Sequence, residues 1–252
     1  MAKQTTIADS ITLKGVGIHT GVEVTMTFKP AAANHGYAFQ RTDLEGSPII
    51  EALAHNVADT KRGTSLQKNG VTIQTCEHVL AAFVGSEVDN VLIELNASET
   101  PIMDGSSKFF VEAIEKVGTK TLDAERAEYI VKENITYTDD ESGSEITLLP
   151  ADDYEVTTMV DFGTKVLGTQ NATLKKLSPF KTEFATARTF SFLHEIETLL
   201  ENGLIKGGDL NNAIVYVDKE LSKETMDRLR KALNKTSIPV KPKGMLDNLT
   251  LH

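Results

Sequence analysis

Hydrophobic positions recur with two different periods along the chain, and each period predicts its own element. Val22, Val24, Met26 and Phe28 alternate with Glu23, Thr25 and Thr27, a period of two that reads as a strand with one wet face, ended by Pro30. GYAFQRTD and SPIIEALA read as two further strands, and SLQK and VTIQT flank Asn69-Gly70, a strong short hairpin signal. The period then lengthens. Cys76, Val79, Leu80 and Phe83 fall at i, i+3, i+4 and i+7, which predicts a helix with Thr75 as its N-cap and Gly85-Ser86 as its end. VLIEL is a strand. SSKFFVEAIEKVG is a second helix, with Phe110, Ala113, Ile114 and Val117 as its stripe and Gly118 as its stop.

The polar stretch 119–128, TKTLDAERAE, has no clear stripe and is expected to be a linker. Strand patterns resume in EYIV, NITYT, SEITLL and the alternating YEVTTMVDF. A helical region is expected from about Pro179 to Phe190, then a helix in FLHEIETLLENG, a buried strand in AIVYV and a short amphipathic helix in KETMDRLRKALNK. VKPKGMLDNLTLH looks like a hairpin or strand starting up. Each half reads as strands followed by helices segregated toward one face, an α+β arrangement.

Composition narrows the function. With 252 residues, 40% of them hydrophobic, the chain can bury a sizeable core. Its net charge of -10 disfavours non-specific attraction to nucleic acid or anionic membrane. The first residues lack the apolar core of a signal peptide, and no apolar run is long enough to span a bilayer. A single cysteine, Cys76, excludes an internal disulfide and fits a reducing cytoplasm.

Five stretches could carry chemistry. Glu77 and His78 stand together where a helix begins. The plain reading is a carboxylate complementing the helix dipole beside a half-buried histidine; the chemical one is a general base next to a metal ligand. GVGIHTG, carrying His19, lacks the following helix of a dinucleotide site and is a tight strand connection on the plain reading. PIMDGSS places Asp104 either as a capping turn or as a carboxylate supporting a site. ATARTFSF offers Thr189 as a hydroxyl for an oxyanion, or merely a helix end. GLIKGGDLNNAIVY has a glycine pair that makes a tight turn or lets a substrate chain pass close to backbone.

Taken in order, GVGIHTG, FQRTDL, TCEHVLAA, DNVLIELNASETPIMDGSS, VDF, ARTFSF and GLIKGGDLNNAIVYV resemble the zinc-dependent UDP-3-O-acyl-N-acetylglucosamine deacetylases of lipid A biosynthesis. The resemblance implies two similar two-layer α/β sandwich domains, about 1–122 and 123–252, the second incomplete and carrying a βαβ insert at about 190–217, with a cleft between helix faces. It implies an acylated UDP-amino sugar as substrate and a zinc ion as cofactor, with His78 as one ligand and Glu77 as general base. Thr189 would hydrogen-bond the oxyanion, and Phe190 would contact the sugar or the start of the acyl chain. Asp161 and Phe162 match a segment near the uridine diphosphate, and His19 and Asp104 match positions near the site. Leu193, Ile196, Leu199, Ile205, Ala213 and Val215 would line a passage for the 3-O-acyl chain.

The family's later motif, a His-Lys pair with an Asp one helical turn on and a further His beyond, has no counterpart: after Thr189 the histidines are His194 and His252. The expectation is therefore an enzyme portion that lacks the remaining zinc ligands, which would lie beyond residue 252, and that is inactive by itself. The alternative is a metal-free protein that binds the nucleotide sugar or its acyl chain. The text around AIVYVDKELSKETMDRLRKAL resembles the subgroup fused to a hydroxyacyl carrier-protein dehydratase.

Overall fold

The computed structural model describes residues 2–192, 195–196, 198, 206–217, 222–232, 236–238 and 245–246. It is a mixed α/β structure with few helices, several sheets and no barrel among the described residues. Strands β1 (Lys3–Ile7), β2 (Ile11–Val16), β3 (Glu23–Pro30), β4 (Tyr37–Arg41) and β5 (Ile49–Glu51) open the chain. After one 3-10 turn at Ala54–Asn56 come β6 (Val57–Asp59), β7 (Ser65–Lys68) and β8 (Val71–Ile73), then α1 (Glu77–Gly85), β9 (Val91–Leu95), α2 (Lys108–Val117) and β10 (Thr119–Glu125). The central sheet has the order β2-β3-β9-β4-β5. β4 and β9 run parallel while the other pairs are antiparallel.

The period-two reading of β3 holds from Val24 onward. Val24, Met26 and Phe28 are buried, while Val22 lies outside the strand and is half exposed. Val91, Ile93 and Leu95 of β9 and Phe39 of β4 share the same core, which α1 and α2 cover. Phe28 meets Phe83 of α1 at 4.7 Å between ring centroids and Phe110 of α2 at 6.3 Å, both edge to face. Such pairs contribute about 0.5–1.5 kcal/mol beyond the burial of their area. Leu66 and Ile73 add a second small sheet, β6-β7-β8, to this core. At the β7–β8 turn both Asn69 and Gly70 have positive φ, 51° and 80°, as the mirror-image hairpin turn requires. Gly118 stops α2 with φ 72°.

Residues 119–125 are a strand and not the expected linker. β10 pairs antiparallel with β1, Ile7 opposite Thr119 and Lys3 opposite Glu125. Its side chains are largely exposed, so backbone pairing holds it and no hydrophobic stripe announces it. The strand also runs across the expected boundary at 122/123.

The later strands are β11 (Ile135–Thr138), β12 (Glu145–Leu148), β13 (Val156–Asp161) and β14 (Thr169–Leu174), paired as two separate hairpins. EYIV, expected as a strand, is irregular, with Tyr129 and Ile130 exposed. All six residues of β13 are exposed despite their alternation, because a pleat decides which side chains share a face and not whether anything covers it. Tyr137, Ile146 and Met159 likewise present apolar surface.

The helix expected at 179–190 is a single wide turn, Phe180–Phe184, followed by strand β15 (Phe190–Phe192). Phe180 seats against α1 at Gly85, where a Cβ would lie 2.0 Å from its ring. β15 pairs in parallel with the buried β16 (Ile214–Tyr216), and between them the described residues 195, 196 and 198 are helical. Helix α3 (Lys223–Ala232) buries Leu229, and β17 (Met245–Leu246) pairs antiparallel with β16. The remainder of FLHEIETLLENG and most of the expected C-terminal hairpin lie outside the described residues.

Gly85→Ala should destabilise the protein by about 1–3 kcal/mol, the range for inserting a methyl into a filled space. Urea unfolding checks this, and a midpoint equal to that of the parent would contradict the Phe180 contact.

Candidate active site

Helix α1 begins one residue later than its pattern suggests, and its entry is held from both sides. Cys76, not Thr75, occupies the N-cap position and makes no side-chain cap. Thr75 instead has φ 58°, costly for a β-branched residue. It is buried, its hydroxyl donates to Glu99 Oε1 at 3.0 Å, and its carbonyl accepts from the Thr100 hydroxyl. The loop before it folds over the helix start. Thr64 N–H donates to Glu77 Oε2 at 2.8 Å, and the Cys76 amide and thiol both donate to Thr64 O.

Glu77 and His78 therefore sit at a fixed helix entrance. Glu77 Oε1 lies 3.8 Å from His78 Nε2 and accepts no hydrogen bond among the described residues. Gly63 keeps the space beside it open, since a Cβ there would stand 3.2 Å from Oε1. Burial pushes the His78 imidazole below its ordinary pKa, with the Glu77 and Asp104 carboxylates acting in the opposite sense. Its neutral form is the one that can offer a lone pair. The His78 carbonyl accepts from Ser107 Oγ at 2.9 Å, tying the starts of α1 and α2 together.

Asp104 serves as the capping turn of PIMDGSS, accepting from the Ser106 amide and hydroxyl at 3.1 and 2.6 Å, while its charge also reaches His78. The next residue joins two parts of the chain. Gly105 O accepts from Thr189 N at 2.7 Å, and a Cβ on Gly105 would fall 2.1 Å from Asn212 O. Arg188 donates to the carbonyls of Asp104 and Asn211. Thr189, expected near a helix end, is thus the entry of β15, and its carbonyl accepts from Ile214 N.

A second joint lies at the two glycine-rich loops. Gly207 N–H donates to Ile18 O, and a Cβ on Gly207 would lie 2.0 Å from Gly17 O. His19 is exposed at this joint, with Nε2 3.2 Å from Arg62 O.

These joints enclose a cavity of about 740 Å³. Its wall brings together His19, Glu77, His78, Phe162, Thr189, Phe190, Ile196, Ala213 and Val215, all singled out from the sequence. Asp161 does not line it: the residue is exposed at the end of β13 and its carboxylate accepts from Gly163 N. Asp104 does not line it either. Leu193, Leu199 and Ile205 lie outside the described residues. Thr75, Arg62, Lys206, Leu210 and Leu229 also line the cavity without having been expected there. Arg62 and Lys206 are loop residues with no periodic pattern, and Leu229 belongs to the stripe of α3 and reads as ordinary core. Phe162, Phe190, Phe192 and Tyr216 cluster on the apolar side, Phe162 and Phe190 edge to face at 5.3 Å.

Glu77 and His78 are neighbours, but among the described residues no three His, Cys, Asp or Glu side chains converge as a metal site would need. The described residues therefore do not make a complete zinc site. Among them no helix is long and apolar enough to cross a membrane.

The sequence matches the family model of UDP-3-O-acyl N-acetylglycosamine deacetylase (LpxC) over residues 4–232. It is 48% identical over 229 residues to the bifunctional enzyme LpxC/FabZ of Bacteroides thetaiotaomicron, covering 91% of this chain and 50% of that protein. The corresponding enzyme of Porphyromonas gingivalis is 43% identical over 251 residues, covering 100% of this chain and 54% of that one. The UDP-3-O-acyl-N-acetylglucosamine deacetylase of Geotalea uraniireducens is 39% identical over 215 residues, covering 85% and 69%. The chain thus spans about half the length of the bifunctional relatives it matches.

Cys76 lies in the helix entrance, fully buried, with its thiol pushed up to about 12 by burial and by the neighbouring Glu77 charge. At pH 8 the thiolate fraction should be on the order of 10⁻⁴. The native protein should leave Ellman's reagent unreacted and release one equivalent of chromophore after denaturation. Rapid stoichiometric reaction in the native state would contradict the burial of this entrance.

Proposed function

Because the chain belongs to the UDP-3-O-acyl N-acetylglycosamine deacetylase family, we propose that it supplies catalytic groups for hydrolysis of the N-acetyl group of a UDP-3-O-acyl-N-acetylglucosamine, in lipid A biosynthesis. The observation that carries this reading is the presence of Glu77, His78 and Thr189 on one cavity wall that also holds a run of apolar side chains. A reaction centre beside a greasy wall suits a substrate with a polar sugar and a long acyl chain.

In this reading Glu77 is the general base. Its Oε2 is occupied by Thr64 N–H, which fixes the carboxylate, and Oε1 is left to take a proton from an attacking water. As the water oxygen bonds to the acetyl carbonyl carbon, the carbonyl oxygen becomes an oxyanion. The Thr189 hydroxyl donates to it, and its collapse breaks the C–N bond, releasing acetate and the amine, which takes up the proton removed from the water. Zinc is the proposed cofactor, with His78 as one donor and the others outside the described residues. Phe190 packs against the sugar or the start of the acyl chain. The chain runs along Ile196, Ala213 and Val215, and each buried methylene contributes about 0.8 kcal/mol. Phe162 stands on the same wall to meet the nucleotide part, and His19 stands there as a further substrate-binding residue. Asp161, outside that wall, belongs to the proposal only through the family's pattern, as do Leu193, Leu199 and Ile205. Asp104 supports His78 through its charge.

The remaining proposals follow from the same membership. Residues 123–252 would belong to a second sandwich domain, with β15 and β16 as the strands of a βαβ insert at about 190–217. A dehydratase domain would follow in the longer protein, as the names of the bifunctional relatives suggest, and the site of action would be the cytoplasm.

Glu77→Gln in the longer enzyme should lower turnover about 10²–10⁴-fold, as loss of a general base does, while bound zinc stays near the parent level. Deacetylation assays and metal analysis check both. Collapse of metal content would assign Glu77 the wrong role. A parent enzyme that binds the acylated UDP-sugar and never hydrolyses it would replace the reading with that of a binding protein.

A further inference from the structure

Glu99 is a carboxylate buried at 0% exposure with no cation at hydrogen-bonding distance among the described residues. Four donors compensate it. His19 N and the Thr75 hydroxyl reach Oε1 at 3.0 Å each, and Thr20 N and Oγ1 reach Oε2 at 2.8 and 2.7 Å. A buried carboxylate without its hydrogen bonds would be prohibitively unfavourable, so these groups are held where the carboxylate needs them. Gly17 makes room for it: a Cβ there would lie 2.3 Å from Oε2.

The two ends of this clamp are both parts of the cavity wall. Oε1 holds the hydroxyl of Thr75, whose left-handed backbone aims the chain into Cys76, Glu77 and His78. It also holds the amide of His19, while Oε2 holds Thr20 N and Oγ1 and with them the glycine loop that meets Gly207. The segment after β9 is itself registered to the same place. Gln74 N donates to Ser98 O and Thr100 N donates to Gln74 O, so Glu99 is presented from a short parallel bridge.

We infer that Glu99 is a positioning residue: a buried anion that sets the geometry of the Glu77–His78 entrance and of the His19 loop together, without touching substrate. This rests on the reading of Glu77 and His78 as the reacting centre. The inference concerns how those groups are aimed and not their identity.

Two variants test it, Glu99→Gln, which turns one acceptor oxygen into a donor, and Thr75→Val, which removes one of the four bonds and leaves the charge in place. The first readout is the imidazole proton–nitrogen spectrum of the full chain, with His35 and His55 as internal references. Both variants should move the His78 signals, Glu99→Gln should move those of His19 as well, and the two references should stay. In the longer enzyme the same variants should lower kcat about 10–100-fold with KM nearly unchanged, the range for residues that orient those in contact with the reaction. Should Glu99→Gln fail to fold, Thr75→Val decides alone. Imidazole signals identical to the parent's alongside a lowered melting temperature would reduce Glu99 to a structural anchor and overturn the inference, as would a kcat within about twofold of the parent. A parent enzyme without deacetylase activity would remove the functional reading, and the imidazole spectrum would still judge the positioning.

Discussion

The architecture depends on backbone meeting backbone at positions that carry no side chain. Gly105 lies against Asn212, and Gly207 lies against Gly17, each with a hypothetical Cβ about 2 Å from a carbonyl oxygen. Gly85 receives the ring of Phe180 in the same way. Any other residue at these points would push the described residues 180–192 and 206–217 away from the five-stranded sheet and its two helices. Thr189 would then no longer share a wall with Glu77 and His78. The cavity is a product of these joints rather than of either part alone.

Within that frame, charge is handled by hydrogen bonds more than by ion pairs. Glu99 is satisfied by four neutral donors, and Glu77 is oriented by a backbone amide. Arg188 spans two carbonyls, and burial holds its guanidinium below the usual pKa, with Asp104 opposing. Neutral donors fix direction without cancelling charge, and Oε1 of Glu77 is left without a hydrogen bond among the described residues. The exposed hairpins β11–β12 and β13–β14 contribute nothing to this wall apart from Phe162, which follows β13.

Much of this was legible in the residues themselves. The periods of β3, α1 and α2 and the Asn69-Gly70 turn follow from side-chain alternation and positive φ, both local properties. Membership of the family follows from the ordered motifs, and nine of the residues they point to share the cavity wall. What pattern could not give was context. β10 is held by pairing with β1, from the far end of the sequence, so its polar text reads as a linker. Thr75 looks like a helix cap because Ser and Thr favour that position, but Glu99 and Thr100 claim its hydroxyl and carbonyl. Glu99 lies within DNVLIELNASETPIMDGSS with no pattern that marks it, since burial of an acid shows only when its four donors converge. Asp161 matched a family segment, yet the end of its hairpin leaves it exposed.

The central claim is the proposal that a residue delivered by the glycine joints, Thr189, serves the same reaction centre as Glu77, one at the carbonyl oxygen and the other at the attacking water. Steady-state kinetics of Thr189→Val in the full-length protein test this most directly. The account predicts that kcat falls about 10²–10³-fold, as when one oxyanion donor is removed, with KM nearly unchanged. An unchanged kcat, or a loss confined to KM, would contradict it.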